Sequence, residues 1–295
     1  MILAHDHRDA LEELIGNVQF FVPEAEVVVF NGGTDEGLTV GLGVDVCPHS
    51  IPLRLGNLVP FHWGVQQWMR EAGVPFDFLV VLDSDQLFVR HGFAEFLEAT
   101  MVNSEFMAGG YLEVPARHYP DWDEVRRINY SWKRYWEPLY GLPHPAWGFN
   151  PGTVFRREYL DRVSRFANAQ KILKVASRSR IYGIEEFVFS TLAGRLGCNP
   201  IRHPGSCGLV SGYPSPETFA RCLKDPDVFL IHKVHMEMDA PDRQVIRELR
   251  NGGDPDVGLL ARFSEEHGRP EPGATPTWSA STRARLKDLY FQVLP

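Results

Sequence analysis

Two carboxylates one residue apart, Asp83 and Asp85, close the run Phe76-Asp77-Phe78-Leu79-Val80-Val81-Leu82-Asp83-Ser84-Asp85. No polar residue interrupts it from Phe78 to Leu82, which predicts a strand buried on both faces within a mostly parallel sheet. Ligands collect at the carboxyl ends of such strands. A one-residue spacing lets both acids face a single hard cation through oxygen. Desolvating them side by side without a cation would be costly. The plainer alternative makes Asp83 a cap of the next helix and Asp85 a solvated loop residue.

Three further groups carry chemistry. Tyr182-Gly183-Ile184-Glu185-Glu186 opens a predicted helix with Phe187, Phe189 and Leu192 as its apolar positions. Two acids in a first turn also suit the helix dipole, so the pair is ambiguous alone. A predicted strand over 227–231 ends in His232-Lys233-Val234-His235, where a histidine is more often structural than a ligand. Gly148-Phe149-Asn150-Pro151-Gly152-Thr153 forms a tight turn before a short strand and a helix over 156–167.

The elements that must position these groups alternate. A strand over 1–5 leads, after Asp6 or Asp9 as cap, into a helix with Leu11, Leu14, Ile15 and Val18 on one face. A second strand, 26–31, closes in the turn Asn31-Gly32-Gly33-Thr34-Asp35. A short strand over 44–47 and a helix over 58–71 come next, the helix with Leu58, Phe61, Val65, Trp68 and Met69 inward. Gly73-Val74-Pro75 then delivers the chain into the Asp83 strand. This alternation predicts an α/β half of the nucleotide-binding type. Farther on come a helix over 91–99, a strand over 106–112 and an aromatic-rich helix over 121–139. The stripe on that last helix (Trp122, Trp132 and Trp136 among others) reads as a core face first and as an acceptor platform second. Lys171, Lys174, Arg178 and Arg180 are expected on a loop.

The composition sets limits. The 295 residues are 44% hydrophobic and 23% charged with a net charge of −8, which fits a soluble globular chain and disfavours a nucleic-acid surface. No apolar run is long enough to span a membrane, and a cytoplasmic location is expected. Four cysteines (Cys47, Cys198, Cys207, Cys222) show no C-x-x-C pair and are expected reduced. Cys198, His203 and Cys207 fit no zinc spacing. One domain is expected over 1–262, with a donor half to about 115 and an acceptor half beyond it. A linker and helical arm over 263–295 would pack or mediate a homo-oligomer.

Taken in order, the D-x-D strand, the N-x-G turn, the acid pair and the H-K-x-H strand end resemble the nucleotide-sugar-dependent glycosyltransferases of the GT-A fold, over about residues 1–240. The resemblance implies a Rossmann-like, mostly parallel central sheet with helices on both faces. It implies a nucleotide-diphosphate sugar donor, a Mn²⁺ or Mg²⁺ ion and a carbohydrate or small-molecule acceptor. Asp85 would ligate the metal directly, Asp83 would reach the ribose or the metal through water, and His232 or His235 would be the third ligand. Lys233 would meet the diphosphate. Ala4, His5, Asn31, Asp35, Arg54, Gly56, Asn57, Ser84, Asn150 and Gly152 would line the donor.

Two finer resemblances diverge. Met1-Ile-Leu-Ala-His5-Asp6 and Glu185-Glu186-Phe187 look like the branching N-acetylglucosaminyltransferase and xylosyltransferase family, whose acid pair supplies a base. That places the base on Glu186, with Glu185 second, in an inverting transfer. Those branching enzymes lack the D-x-D present here. Val81-Leu82-Asp83-Ser84-Asp85 with Phe149-Asn150-Pro151-Gly152 looks instead like the glycogenin and galactosyltransferase group, whose members retain configuration and would not need the base.

Rival readings fit less well. A haloacid-dehalogenase-type phosphohydrolase carries its D-x-D on the first strand. A nucleotidyltransferase needs a Gly-rich basic loop where this chain has His5-Asp6-His7-Arg8. Walker and G-x-G-x-x-G loops are absent. A binding protein that keeps the fold without turnover is the non-enzyme alternative.

Overall fold

The computed structural model describes residues 1–115, 118, 122–203, 206–207, 213–253, 258–259 and 261–262. Strand β1 (Ile2–Ala4) leads to α1 (Arg8–Phe21), β2 (Val28–Asn31), β3 (Asp45–Val46) and α2 (Val59–Glu71). The Asp83 strand comes next as β4 (Phe78–Val80) and β5 (Leu82–Asp83), then β6 (Gln86–Phe88) and α3 (Phe93–Thr100). The middle of the chain holds β7 (Phe106–Ala108), β8 (Tyr111–Glu113), α4 (Asp123–Ser131), α5 (Lys133–Tyr140), β9 (Ala146–Gly148) and β10 (Val154–Arg156). Helices α6 (Arg157–Arg165), α7 (Ala169–Ala176) and α8 (Ile184–Arg195) precede β11 (Ile201–Arg202), β12 (Ser206–Cys207), α9 (Pro216–Lys224), β13 (Leu230–His232) and α10 (Pro241–Arg250).

The Asp83 strand joins two hydrogen-bonded sheets, β3-β2-β1-β5 and β11-β7-β10-β4. On one side β5 pairs parallel with β1; on the other β4 pairs antiparallel with β10. Val81 bridges the halves, donating to the Thr153 carbonyl and accepting from the Gly152 N–H. The sheet is therefore mostly parallel with β10 reversed, since β10 is antiparallel to both β4 and β7 while β11 is parallel to β7. A smaller layer, β12-β13-β6, carries His232 to the site because β13 runs antiparallel to β6 with His232 opposite Gln86.

Side chains alternate across this sheet with the period of a strand. Leu3, Phe30, Leu79, Val81, Phe106 and Phe155 enter one core, with residues of α2, α6, α7 and α8. Ile2, Ala4, Val29, Leu82, Met107 and Val154 enter the other, with residues of α1 and α3. The expected α/β architecture with helices on both faces is thus present. Both cores draw on residues before and after 115, so the two halves share them.

Several local expectations changed. The 106–112 segment is two strands, with Gly109-Gly110 between them, and the 121–139 helix is two helices that meet at Trp132. Asp121 and the side chains of Tyr135 and Trp136 lie outside the described residues, as does the 263–295 arm. Lys171 and Lys174 sit on α7 rather than on a loop. Cys222 is disulfide-bonded, whereas Cys47 and Cys198 are free and buried. The expectation of uniformly reduced cysteines therefore fails. No described helix is long and apolar enough to cross a membrane.

Candidate active site

Register brings the predicted donor residues level. In the parallel sheet Ala4 lies opposite Asn31 and Leu3 opposite Asp83, so three strand ends share one edge. The turn after β2 packs on this edge. A Cβ on Gly33 would lie 2.0 Å from the His5 carbonyl oxygen, so only glycine allows the approach. Asn31 Oδ1 accepts from Gly33 N, and Asn31 Nδ2 donates to the Asp35 carbonyl. Asp35 in turn accepts from Gly37 N. Both side chains shape the turn. His5 is exposed beside it.

Asp83 and Asp85 flank a turn held by the buried Gln86, whose Oε1 accepts from Asp83 N at 2.8 Å. From β13 and its extension, His232 Nε2 stands 3.6 Å from Asp85 Oδ1 and Lys233 Nζ 3.4 Å from Asp85 Oδ2. Asp83, Asp85 and His232 each offer a ligand atom within 4.8 Å of the others. The second histidine is turned elsewhere: His235 Nδ1 meets Asp242 Oδ2 at 2.8 Å, and its ring stacks on Tyr213 at 3.8 Å. His232, not His235, joins the acids.

The acid pair divides its work. Glu185 is buried, and its Oε2 accepts from Leu58 N at 3.0 Å, capping α2. Glu186 accepts from Trp147 Nε1 at 2.7 Å and from Asn150 N at 3.4 Å. Trp147 is fixed on β9, which is stitched to α8 through Ala146 and Thr191. The Asn150–Gly152 turn is fixed by the bonds to Val81, and Gly152 has φ +76°. Glu186 and the Asp83 strand thus share one turn.

The electrostatics derive from burial. Burial pushes Glu185 up to about 8, with Glu186's charge adding to it. It pushes Glu186 up to about 7 against the stabilising Trp147 and Asn150 donors. Burial, then the charges of Asp85 and Glu186, raise Asp83 to about 7, while Lys233 opposes them. An anionic substrate entering this edge needs added positive charge.

Asn57 is placed otherwise than a ligand contact requires. Its Nδ2 donates to the carbonyls of Ala176, Ser177 and Ser179 and its Oδ1 accepts from Val59 N, which ties α7 to the start of α2. Asn57→Ala is expected to cost about 1–3 kcal/mol of stability, read as a lower denaturant midpoint, with nucleotide affinity unchanged. Gly56 lies against the start of α8, because its carbonyl accepts from Gly183 N and a Cβ on it would meet the Tyr182 ring at 2.3 Å; Arg54 follows Leu53, whose N–H donates to the Gly32 carbonyl.

Local sequence does not mark every residue of this site. Trp147 is one tryptophan among several, and nothing beside it in the chain singles it out as the donor to Glu186. His62 and Gln66, both on α2, are buried among apolar neighbours. Their i,i+4 spacing on the inward face is a readable signal.

No protein-family model and no curated protein matches the chain. Solved structures do. The galactosyltransferase LgtC, in complex with donor and acceptor sugar analogues, is 13% identical over 88% of this chain and 99% of its own, with a TM-score of 0.42. Glucosyl-3-phosphoglycerate synthase from Mycobacterium tuberculosis, in complex with Mn²⁺, UDP-glucose and phosphoglyceric acid, is 16% identical over 66% of this chain and 78% of its own (TM-score 0.32). The bifunctional glycosyltransferase WbbM is 11% identical over 88% of this chain, with a TM-score of 0.44, and this chain spans 50% of it. These neighbours are GT-A glycosyltransferases. At TM-scores below 0.5 the chemistry has to come from this chain's own side chains.

Proposed function

We propose that this chain is a metal-dependent glycosyltransferase that moves a sugar from a nucleotide-diphosphate donor to an acceptor hydroxyl, with inversion. The observation that carries this reading is the convergence of Asp83, Asp85 and His232 at one sheet edge, with the Glu186 carboxylate reaching the adjoining Asn150 turn from α8. The donor set suits a divalent ion. Asp83 Oδ1 and Asp85 Oδ1 are buried and make no hydrogen bond among the described residues. Two carboxylates with one imidazole favour Mn²⁺ over Mg²⁺.

Asp83, Asp85 and His232 would hold the ion, whose chemistry is Lewis-acid neutralisation of the leaving diphosphate. Lys233 adds a point charge toward the same phosphates. Glu186 takes the proton of the acceptor hydroxyl as its oxygen bonds to the anomeric carbon and the bond from that carbon to the phosphate oxygen breaks. Trp147 and the Asn150 N–H keep that carboxylate in place. Trp122 packs edge-on against Trp147 at 5.2 Å between ring centroids, so Trp122 borders the acceptor side.

The test is nucleotide release from UDP-, GDP- and dTDP-sugars with Mn²⁺. One donor should be consumed and chelator should stop the reaction; no release from any donor would count against it. The anomeric configuration of the product separates inversion from retention.

Rate and metal-free stability should respond to pH in opposite senses. Because Glu186 must be ionised and is pushed up to about 7, the rate should climb with pH to about 7 and then level. Stability without metal should fall instead. Glu185 and Glu186 bind protons more tightly in the native state than at their ordinary 4.5, so stability is fullest near pH 4.5 and is lost toward pH 8. Denaturation of chelator-treated protein at pH 5 and pH 8 checks the sign.

A further inference from the structure

Beneath the Asn150 turn lies a polar pair that the proposed reaction does not use. His62, on the inward face of α2, is 1% exposed and packed among the rings of Phe61, Phe155 and Phe189, the last 4.8 Å away. Neither of its nitrogens completes a hydrogen bond among the described residues. Gln66, one helical turn on and 3% exposed, likewise leaves both ends of its carboxamide unmatched. Asn150, 6% exposed, has an unmatched Nδ2.

The Asn150 side chain reaches His62, and Gln66 follows His62 one turn along the same helix. The Asn150 side chain is the polar neighbour that acts on His62, opposing the burial that drives its imidazole down to about 3 and keeps it neutral. A neutral imidazole offers one donor and one acceptor, which a carboxamide on either side can match. Such a network is rigid when every member is satisfied and costly when it is not. The backbone N–H of Asn150 reaches Glu186 at 3.4 Å, long for a bond to a carboxylate.

We infer that His62, backed by Gln66, is a positioning residue for the reaction: it grips the Asn150 carboxamide and so sets the turn whose N–H holds Glu186. This rests on Glu186 being the base. His62 touches no substrate.

The experiment compares His62→Phe, His62→Leu and His62→Gln with wild type, using the nucleotide sugar that wild type consumes with Mn²⁺. The two apolar variants should keep the thermal midpoint and the Mn²⁺-dependent nucleotide shift, hold donor KM within about twofold and lose kcat at least tenfold. His62→Gln should recover most of that loss. Gln66→Leu should lower kcat in the same direction but less. Apolar variants that fold and keep full kcat would overturn the inference. So would a parallel rise in donor KM, or a glutamine variant no better than phenylalanine. Glu186→Gln run alongside separates the failures: if it too is fully active, the base assignment has failed rather than the positioning role.

Discussion

Glu186→Gln is expected to lower turnover by about 10²–10⁴-fold while donor affinity stays within about twofold. That loss corresponds to about 3–5 kcal/mol of barrier. The reason is local. Glutamine keeps the shape and an oxygen for the Trp147 N–H, so the turn and α8 should stay in place. What is lost is the group that receives the acceptor proton, together with the second acceptor oxygen that the Asn150 N–H reaches at 3.4 Å. Single-turnover kinetics and calorimetric donor binding measure the two quantities separately. A modest loss with retained product configuration would move the chain to the retaining alternative. A wild type that binds donor but never turns over would make it a binding protein.

Asp85→Ala should abolish metal-dependent nucleotide binding. Asp85 lies between His232 and Lys233, and its Oδ1 is buried without a hydrogen-bond partner among the described residues. Removing it takes an oxygen from the proposed donor set and leaves Lys233 without this counter-charge. A nucleotide at a hundred times its dissociation constant stabilises by about 2.7 kcal/mol, and that increment should vanish. The metal-free variant should be no less stable than wild type, because Asp85's charge is one of the causes raising Asp83. Metal-dependent stabilisation that survives the change would remove Asp85 from the site.

Features with a local cause are legible in the sequence. The apolar run into Asp83 and the helix faces of α1 and α2 are short-range patterns, and they appear where periodicity places them. The reversal of β10 is not legible, because its partners lie about 75 and 48 residues away in register with β4 and β7. For the same reason the Phe78–Asp83 strand reads as one parallel strand, when β10 forms its antiparallel neighbour on one side. Asn57 looks like a loop ligand until α7 arrives to take its amide. The two glutamates are equivalent on paper. Only the packing of α8 against α2 and β9 turns Glu185 toward a helix start and Glu186 toward Trp147. The two histidines of the H-K-x-H end separate only when Asp242 on α10 captures His235.

The most direct test is thermal unfolding of the whole chain with UDP, GDP, dTDP and CMP, each with and without Mn²⁺. One nucleotide diphosphate should raise the midpoint in the presence of Mn²⁺ and not in its absence, and Asp85→Ala should erase the rise. If no nucleotide shifts the transition with or without metal, the Asp83–Asp85–His232 cluster is not a donor site and the glycosyltransferase reading fails.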